Sequence, residues 1–543
     1  MKKICILFVL IIVLCVLTSC GGGSNKLSNG LQFNTFADGT AFVTAMGDCT
    51  DTEIVIPSRT PLGMKIVGIG SGAFKGKDIE SVIIPEGVVY IGDEAFLECE
   101  NLKSVSFPES LERIGKRAFA SSAIESITLP DSVTQIGDEA FYKSKLMNAM
   151  LGNGEMTIGR GAFSKCESLT VLQLSPNTVS LDIDSIESPG IVELLIPGAI
   201  GVVPSKMFSE FKALQKVEIA EGITTIEKEA FYGCMALEGL RAPAIERLEA
   251  HALYNCSSLF DFSVPRSLYY VGDYALALCS SLERVDLSRV THLGKSALYG
   301  VEKVKEINVE SIGSVIPENA FAACYSLVKI TFPKDLEMIG KGAFLNCSAL
   351  ERVSLPGTVT KIGEAAFAGC SYLQSVKMAG GVSEIGNKAF YACERMERIS
   401  LPSGLTRIGD SAFELCVALL EIDVPGGVSH LGASAFKECV MLQTASLPAS
   451  LERISARTFE GCNSLYRINI PEGVELIGEY AFYNCATIGA VVLPTTLREI
   501  GMYAFAGCAT LESVEGALTA EQFGKINIKA GNEPLVLAWE AGK

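Results

Sequence analysis

The 543-residue chain is 48% hydrophobic and 20% charged, and its formal net charge is −17. This acidic balance argues against a nucleic-acid-binding surface, which needs basic side chains to neutralise phosphates. It also argues against binding of anionic membranes through the protein body, whereas the apolar content is ample for a buried core.

The N-terminal residues have the pattern of an export signal. A basic start at Lys2 and Lys3 precedes an apolar run from Ile4 to Leu17, which is too short to span a bilayer comfortably. Leu17-Thr18-Ser19-Cys20 resembles a bacterial lipobox, so we predict a lipoprotein signal peptide over 1–19 and lipidation of Cys20. The alternative is an ordinary signal peptide cleaved nearby. The glycines and serine that follow predict a flexible tether over residues 20–30.

The rest of the chain is an internal repeat of 22 or 23 residues. In its most regular part, a Phe recurs at intervals of 23 and a Cys follows three residues after each Phe. Repeats of this kind grow by stacking, because no single unit can close a core. The ladder members are Phe321, Cys324, Phe344, Cys347, Phe367, Cys370, Phe390, Cys393, Phe413, Cys416, Phe436, Cys439, Phe459, Cys462, Phe482, Cys485, Phe505 and Cys508.

Residues 350–370 illustrate one unit. Val353 and Leu355 alternate with polar residues, which predicts a short half-buried strand that Pro356 ends. Val359 and Ile362 form the next inward pair, and a short helical or irregular turn returns the chain to the core. The repeats between about residues 170 and 217 are irregular, and the Cys position is occupied by other residues at Ser122, Ser144, Phe211 and Val301.

The motif L-x-x-I-x-L-P-x-x-L-x-x-I-G-x-x-A-F-x-x-C resembles the BspA-like, or Treponema pallidum type, family of leucine-rich repeats. The resemblance implies a leucine-rich-repeat solenoid of about twenty 22–23-residue repeats. Short parallel β-strands would form one face, with irregular or short helical turns opposite. It also implies an N-terminal cap over 31–57, a repeat array over 58–515 and a C-terminal cap or tail over 516–543. Members of this family are found largely on bacterial surfaces and are associated with adhesion, but fold alone does not specify a ligand.

The cysteine column predicts buried free thiols rather than chemistry. The cysteines recur at one repeat position beside the buried Phe, where Cys serves as a small core residue. Neighbouring side chains would run parallel instead of facing each other, which disfavours disulfides, although scattered disulfides or a metal remain alternatives. His251, His292 and His430 are expected in exposed loop positions. The sequence predicts no catalytic residue, no cofactor and no metal site, and therefore no enzyme.

The candidate ligand-binding surface is the outward side of the strands. Its outward residues lean basic on an acidic chain, and the candidates are Lys329, Arg352, Lys377, Arg398 and Arg467. A merely solvated sheet face is the alternative. A second candidate is the column of tyrosines after the anchor, for which partial burial between turns is the competing interpretation: Tyr142, Tyr232, Tyr254, Tyr299, Tyr391 and Tyr483.

Together these features predict a lipid-anchored protein of the bacterial cell envelope, exposed on the surface, that acts as an adhesion or macromolecule-binding scaffold. The expected partners are host or microbial surface proteins or glycans, with the membrane contacted only through the N-terminal lipid and no nucleic acid bound. The alternatives are a structural spacer or coat component without a specific ligand, and a glycan-binding protein in nutrient capture. The second alternative would require exposed aromatic rows on the strand face, which the sequence does not show.

Overall fold

A computed structural model of the chain describes residues 26–181 and 183–542. The predicted signal peptide and Cys20 lie outside the described residues. The chain divides into unit 1, Met1–Ser188, and unit 2, Pro189–Lys543. In each unit the backbone winds into coils that carry two short strands. Strands at the first position of successive coils form the first ladder, and strands at the second position form the second ladder.

Among its described residues, unit 1 has fourteen strands and one short 3-10 helix, Ile183–Ile186. A strand β1 (Gln32–Thr35) pairs antiparallel with β2, and the pairs described between the other strands of the unit are parallel. The first ladder contains β3 (Glu53–Val55), β5 (Ser81–Ile83), β7 (Ser104–Ser106), β9 (Ser126–Thr128), β11 (Asn148–Met150) and β13 (Val171–Gln173). The second contains β2 (Thr40–Ala45), β4 (Lys65–Ile69), β6 (Tyr90–Ile91), β8 (Arg113–Ile114), β10 (Gln135–Ile136), β12 (Met156–Ile158) and β14 (Thr178–Leu181).

The first ladder of unit 2 consists of parallel strands in five groups. They are β15 (Glu193–Ile196), β17 (Lys216–Ile219), β19 (Gly239–Arg241) and β21 (Asp261–Phe262); β24 (Glu306–Asn308) and β26 (Lys329–Thr331); β28 (Arg352–Ser354) and β30 (Ser375–Lys377); β33 (Glu421–Asp423) and β35 (Thr444–Ser446); and β37 (Arg467–Asn469), β39 (Ala490–Val492) and β41 (Ser513–Glu515).

The second ladder of unit 2 consists of parallel strands in three groups. They are β16 (Val202–Val203), β18 (Thr225–Ile226), β20 (Arg247–Leu248), β22 (Tyr270–Val271) and β23 (His292–Leu293); β25 (Val315–Ile316), β27 (Met338–Ile339), β29 (Lys361–Ile362), β31 (Glu384–Ile385), β32 (Arg407–Ile408) and β34 (His430–Leu431); and β36 (Arg453–Ile454), β38 (Leu476–Ile477), β40 (Glu499–Ile500) and β42 (Asn527–Ile528). A 3-10 helix, Gly198–Ile200, precedes β16. Two helices close the unit, α1 (Ala520–Gly524) and α2 (Glu533–Ala541).

The predicted solenoid of short parallel strands is confirmed, with about 21 coils against the twenty expected. The sequence analysis identified only the first ladder as strand. The inward pair Val359 and Ile362 was recognised, but the second ladder that passes through Ile362 was not. Its strands are only two residues long in most coils, which is too short for an alternating pattern to be visible.

The core of unit 2 is built around a stack of phenylalanine rings. From Phe321 to Phe505 each ring lies parallel to the next, with centroids 5.1–5.5 Å apart. All of these side chains are fully buried. Leucines occupy the same column at Leu253, Leu276 and Leu298, so the ring stack is interrupted there although the column remains buried.

The glycine after the second-ladder strand holds successive coils together. The Gly363 amide donates a hydrogen bond to the Ile339 carbonyl over 2.8 Å. A Cβ on Gly363 would lie 2.8 Å from the Gly340 carbonyl carbon, so a side chain at this position would force the coils apart. Glu227 and Glu249 replace this glycine without loss of the amide hydrogen bond, and the ladder continues through them. The second ladder of unit 2 is interrupted at Pro317 and at Ser455, where the glycine is replaced and the amide hydrogen bond is absent. Proline has no amide hydrogen to donate, and at Ser455 the side-chain hydroxyl, rather than the amide, donates to the Leu431 carbonyl.

Candidate functional site

The first ladder of unit 2 presents aligned side chains outward. On β28, Val353 is buried while Arg352 and Ser354 are exposed, as the alternation of a half-buried strand requires. Parallel pairing places Arg352 opposite Ser375 and Ser354 opposite Lys377 on β30. The outward residues therefore form two columns, one for each outward position of the strand.

All five predicted ligand-binding residues are exposed, but they do not lie in one row. Lys329, Arg352 and Arg467 lie at the first outward position of their strands, and Arg398 has the same repeat position in a coil without a described first-ladder strand. Lys377 lies at the second outward position. The five thus belong to one outward surface but to two columns of it.

Carboxylates on other coils neutralise three of the five cations. Lys329 lies 3.9 Å from Glu306, Arg398 lies 2.8 Å from Glu421, and Arg467 lies 2.7 Å from Glu515. Such exposed pairs contribute little to stability, about 0–1 kcal/mol each, but they reduce the charge available to a partner.

The other two cations keep their charge available. Among the described residues, Arg352 and Lys377 form no ion pair. They lie on paired strands, two register positions apart, because Arg352 pairs with Ser375 and Lys377 pairs with Ser354. The strand pattern of a single repeat places all five residues in one group. It does not reveal the neutralising carboxylates, because these lie on other coils.

The Phe and Cys ladder lies in the interior and offers no reactive group. The thiols from Cys324 to Cys508 are free and buried. Burial raises the pKa of Cys370 from its ordinary value of 9.0 to about 12. A thiol that keeps its proton at neutral pH is a poor nucleophile and a poor metal ligand. The predicted lipidation site, Cys20, lies outside the described residues.

The second ladder carries a stack of side chains that the sequence analysis did not find. The Arg247 guanidinium carbon lies 3.9 Å from the centroid of the Tyr270 ring. On the adjacent strand, the His292 ring lies parallel to Tyr270, with centroids 4.3 Å apart and planes at 3°. We call these three residues the ring column. Their spacing of 23 and then 22 residues was the available signal, because residues one repeat apart lie on neighbouring coils.

An open cavity of about 480 Å³ follows the ring column. It lies at the interruption between β23 and β25, where Pro317 replaces the usual glycine. The coil also has an additional residue: the buried Ile312 and Ile316 are four positions apart, whereas the buried Val290 and Leu293 of the preceding coil are three apart. His292 and Val315 both line the cavity.

The tyrosine column is mostly half-buried. Tyr142, Tyr232, Tyr254, Tyr391 and Tyr483 are of intermediate exposure, and Tyr299 is 38% exposed. Tyr232 and Tyr254 stack on each other with centroids 5.0 Å apart. These rings cover the turns that surround the core, so they offer less contact area than exposed tyrosines would.

The three histidines differ in part from the exposed loop positions expected for them. His292 and His430 are exposed as expected but lie on strands β23 and β34. His251 is half-buried and lies parallel to Tyr274 with centroids 5.0 Å apart. Its Nδ1 is buried without a hydrogen-bond partner. The exposed-loop prediction was wrong for His251 because Tyr254 of its own coil and Tyr274 of the following coil cover it.

Within residues 26–542, leaving out 182, no group of three or more His, Cys, Asp or Glu side chains is arranged to hold a metal ion. None of the helices in that part of the chain is long and apolar enough to cross a membrane.

Comparisons with known proteins identify the repeat. A family model described as the BspA type leucine-rich repeat region, comprising six copies, matches residues 67–188, 201–327, 314–443 and 429–527. None of the curated proteins compared with the chain matches it.

Solved structures of bacterial leucine-rich-repeat proteins are also similar. A leucine-rich cell surface protein from Faecalibacterium prausnitzii is 19% identical, with 92% of this chain and 97% of that chain covered and a TM-score of 0.31. A leucine-rich repeat protein from Bacteroides ovatus is 23% identical, with 93% and 100% covered and a TM-score of 0.32. The leucine-rich repeat protein of T. pallidum is 27% identical, with 36% and 79% covered and a TM-score of 0.28.

Proposed function

The chain belongs to the BspA-type leucine-rich repeat family, and we propose that it is a surface-exposed lipoprotein scaffold that binds macromolecules through the outward side of the first ladder. The proposed partners are surface proteins or glycans of a host or of other microbes. Attachment to the membrane would occur through lipid on Cys20 alone, and the acidic chain would bind no nucleic acid.

The register of the first ladder is the observation that carries this proposal. Backbone pairing fixes equivalent outward residues on neighbouring coils, as Arg352 and Ser375 are fixed on β28 and β30. An extended partner can therefore contact several coils of a unit at once. Contacts that are weak individually strengthen one another when a rigid scaffold holds them together, because each later contact forms at high effective concentration.

The sequence supports the cellular location. Leu17-Thr18-Ser19-Cys20 resembles a lipobox and follows a basic start and an apolar run. An envelope location would bring the first ladder to partners outside the cell. It is also consistent with an acidic surface, which limits adsorption to anionic membranes.

A spacer or coat component without a specific ligand is the second candidate. The ion pairs of Lys329, Arg398 and Arg467 favour it, since a surface that neutralises its own charges is suited to remain solvated.

An array of host and microbial surface proteins and of glycans distinguishes the two candidates. The full-length chain, solubilised in detergent and labelled, would be applied to the array beside the same chain after heat unfolding. The binding proposal predicts that folded protein is retained on at least one acidic or glycosylated target and that unfolded protein is not. Absence of folded-state binding to every target would contradict the proposal and favour the spacer.

A further inference from the structure

The ring column ends beside an open cavity of about 480 Å³ that His292 lines. Arg247, Tyr270 and His292 occupy equivalent positions on three successive strands, with each flat group lying against the next. Tyr270 covers the side of the His292 ring that faces the preceding coil. The other side of the ring faces the following coil, where the cavity lies. The residue of that coil equivalent to His292 is Val315, whose side chain is 40% exposed.

The cavity exists because the local sequence interrupts the ladder. Pro317 cannot supply the amide hydrogen that would bind the coil to Leu293, and the residue added between Ile312 and Ile316 disrupts the register. The turns remain connected, since the Ser296 amide donates to the Glu318 carbonyl over 2.9 Å. The interruption is therefore confined to the strand side, where it opens to solvent.

The lining combines flat or apolar surfaces with hydrogen-bonding groups. His292, Val315 and Pro317 supply the apolar surfaces, and Thr291 and Ser314 supply hydroxyl groups. Lys295 and Glu318, 3.9 Å apart, add a charged pair at the edge. The volume of about 480 Å³ lies within the range of about 300–1,000 Å³ that is common for small-ligand sites.

We propose that this cavity binds a neutral pyranose ring of a glycan, which stacks on the free face of His292 as a fourth layer of the ring column. A pyranose has a C–H face that packs on a flat ring and a rim of hydroxyls that both donate and accept hydrogen bonds. The Ser314 hydroxyl can donate and accept, and the Thr291 hydroxyl, which donates to the Tyr269 carbonyl over 3.3 Å, presents its oxygen as an acceptor. An aromatic side chain of a peptide would fill the same space but would cover the Ser314 hydroxyl without giving it a partner, at an energetic cost.

This site goes beyond the proposed function, because it lies on the second ladder and specifies a ligand class that the first ladder does not. It also revises an expectation from the sequence. Glycan capture was disfavoured because exposed aromatic rows were absent from the strand face, but on the second ladder the exposed His292 ring stacks on the half-buried Tyr270 ring.

The test uses the full-length chain in detergent and trisaccharides of glucose, mannose and N-acetylglucosamine as probes, with binding followed by saturation-transfer NMR. His292→Ala removes the stacking face, whereas His292→Tyr keeps a ring. Val315→Trp fills the cavity. His430→Ala is the matched control, because His430 occupies the same repeat position on β34 and is exposed, but does not line this cavity.

We expect at least one trisaccharide to bind. The His292→Ala and Val315→Trp variants should bind it roughly tenfold more weakly, the change that one well-placed aromatic contact produces. The His292→Tyr and His430→Ala variants should bind it as the unmodified chain does. Absence of trisaccharide binding would overturn the proposal, as would binding that survives both the alanine and the tryptophan substitutions. Binding of a tyrosine-containing peptide in place of the trisaccharides would overturn the ligand class. These results test the cavity alone. Failure of the first-ladder proposal would be seen separately, because that binding depends on outward residues of the first ladder and not on His292 or Val315.

Discussion

The thiol of Cys370 donates a hydrogen bond to the main-chain carbonyl of Phe344, one coil earlier, over 3.2 Å. The same contact recurs from Cys347 to Cys508 at 3.1–3.3 Å, always to the anchor phenylalanine of the preceding coil. The cysteine column is therefore more than small apolar filling. It gives a second hydrogen bond to a buried carbonyl that already accepts from the main-chain amide of its own coil, as the Phe344 carbonyl accepts from the Cys347 amide over 3.1 Å.

A hydroxyl should replace this thiol better than a methyl group does. In unit 1, Ser188 occupies the cysteine position and donates to the Phe163 carbonyl over 2.6 Å. We predict that Cys370→Ala lowers the free energy of local unfolding by about 1–3 kcal/mol, because it removes the donor and leaves space. Cys370→Ser should lose less. Hydrogen exchange of residues 344–370 in both variants measures the difference, and equal losses would show that the hydrogen bond contributes nothing.

The phenylalanine stack should respond to truncation as a close-packed core does. We predict that Phe413→Ala destabilises its region by roughly 3–5 kcal/mol, since the side chain is fully buried between two other rings. Phe413→Leu is the matched control, because Leu253, Leu276 and Leu298 occupy the same column, and it should cost less. Hydrogen exchange around residues 390–436 provides the measurement. A loss below about 1 kcal/mol for the alanine variant would show that the column is not core.

Alkaline pH should weaken the fold. Burial raises the pKa of Cys324, Cys370 and Cys416 from 9.0 to about 12. Above pH 9 the unfolded chain releases these thiol protons while the folded chain retains them, so the free energy of unfolding falls as pH rises towards 12. Urea unfolding at a series of pH values tests this. Replacing the three cysteines with serine should make the decline shallower, and an unchanged decline would mean that other groups cause it.

Unit 2 should open first at the interruption that contains the cavity. Between β21 and β24 the first ladder has no described strand, the second ladder is interrupted at Pro317, and the anchors there are leucines. Nearest-neighbour coupling makes such a segment the weakest point of a repeat array. We predict faster amide exchange over residues 284–317 than over 338–408, which serves as the internal control. Equal protection across both segments would refute this prediction.

The repeat period predicted the buried columns because stacking gives every coil the same inward positions. Phe367 and Cys370 could be assigned to the core from their interval alone, and both are fully buried. The turn conformation was not predictable in this way. Ala365 has a positive φ of 52°, which few non-glycine residues adopt, and the residue type gives no sign of it.

Side-chain contacts between coils were the other part that the sequence did not reveal. Whether Arg398 meets Glu421 depends on the conformations of two long side chains that lie 23 residues apart. The Tyr270–His292 stack could have been found from the interval, but a histidine before Leu-Gly was interpreted as an exposed loop residue. Only the structure, which contains the second ladder, shows that His292 lies on a strand.

The central claim is that the first ladder binds its partner through charge that is not already neutralised. The variant Arg352→Ala/Lys377→Ala removes the two cations without ion pairs, and Arg398→Ala/Arg467→Ala removes two that are paired with carboxylates. The measurement is the affinity of each folded variant for the target that the array identifies, at about 0.05 M and about 0.5 M salt, which differ strongly in screening.

The Arg352→Ala/Lys377→Ala variant loses two exposed contacts of up to about 1 kcal/mol each. We therefore expect it to bind the target roughly 5- to 30-fold more weakly at low salt, with a smaller loss of affinity at high salt. The second variant should change much less. Unchanged affinity in the first variant, or an equal loss in both, would contradict binding through this part of the first ladder.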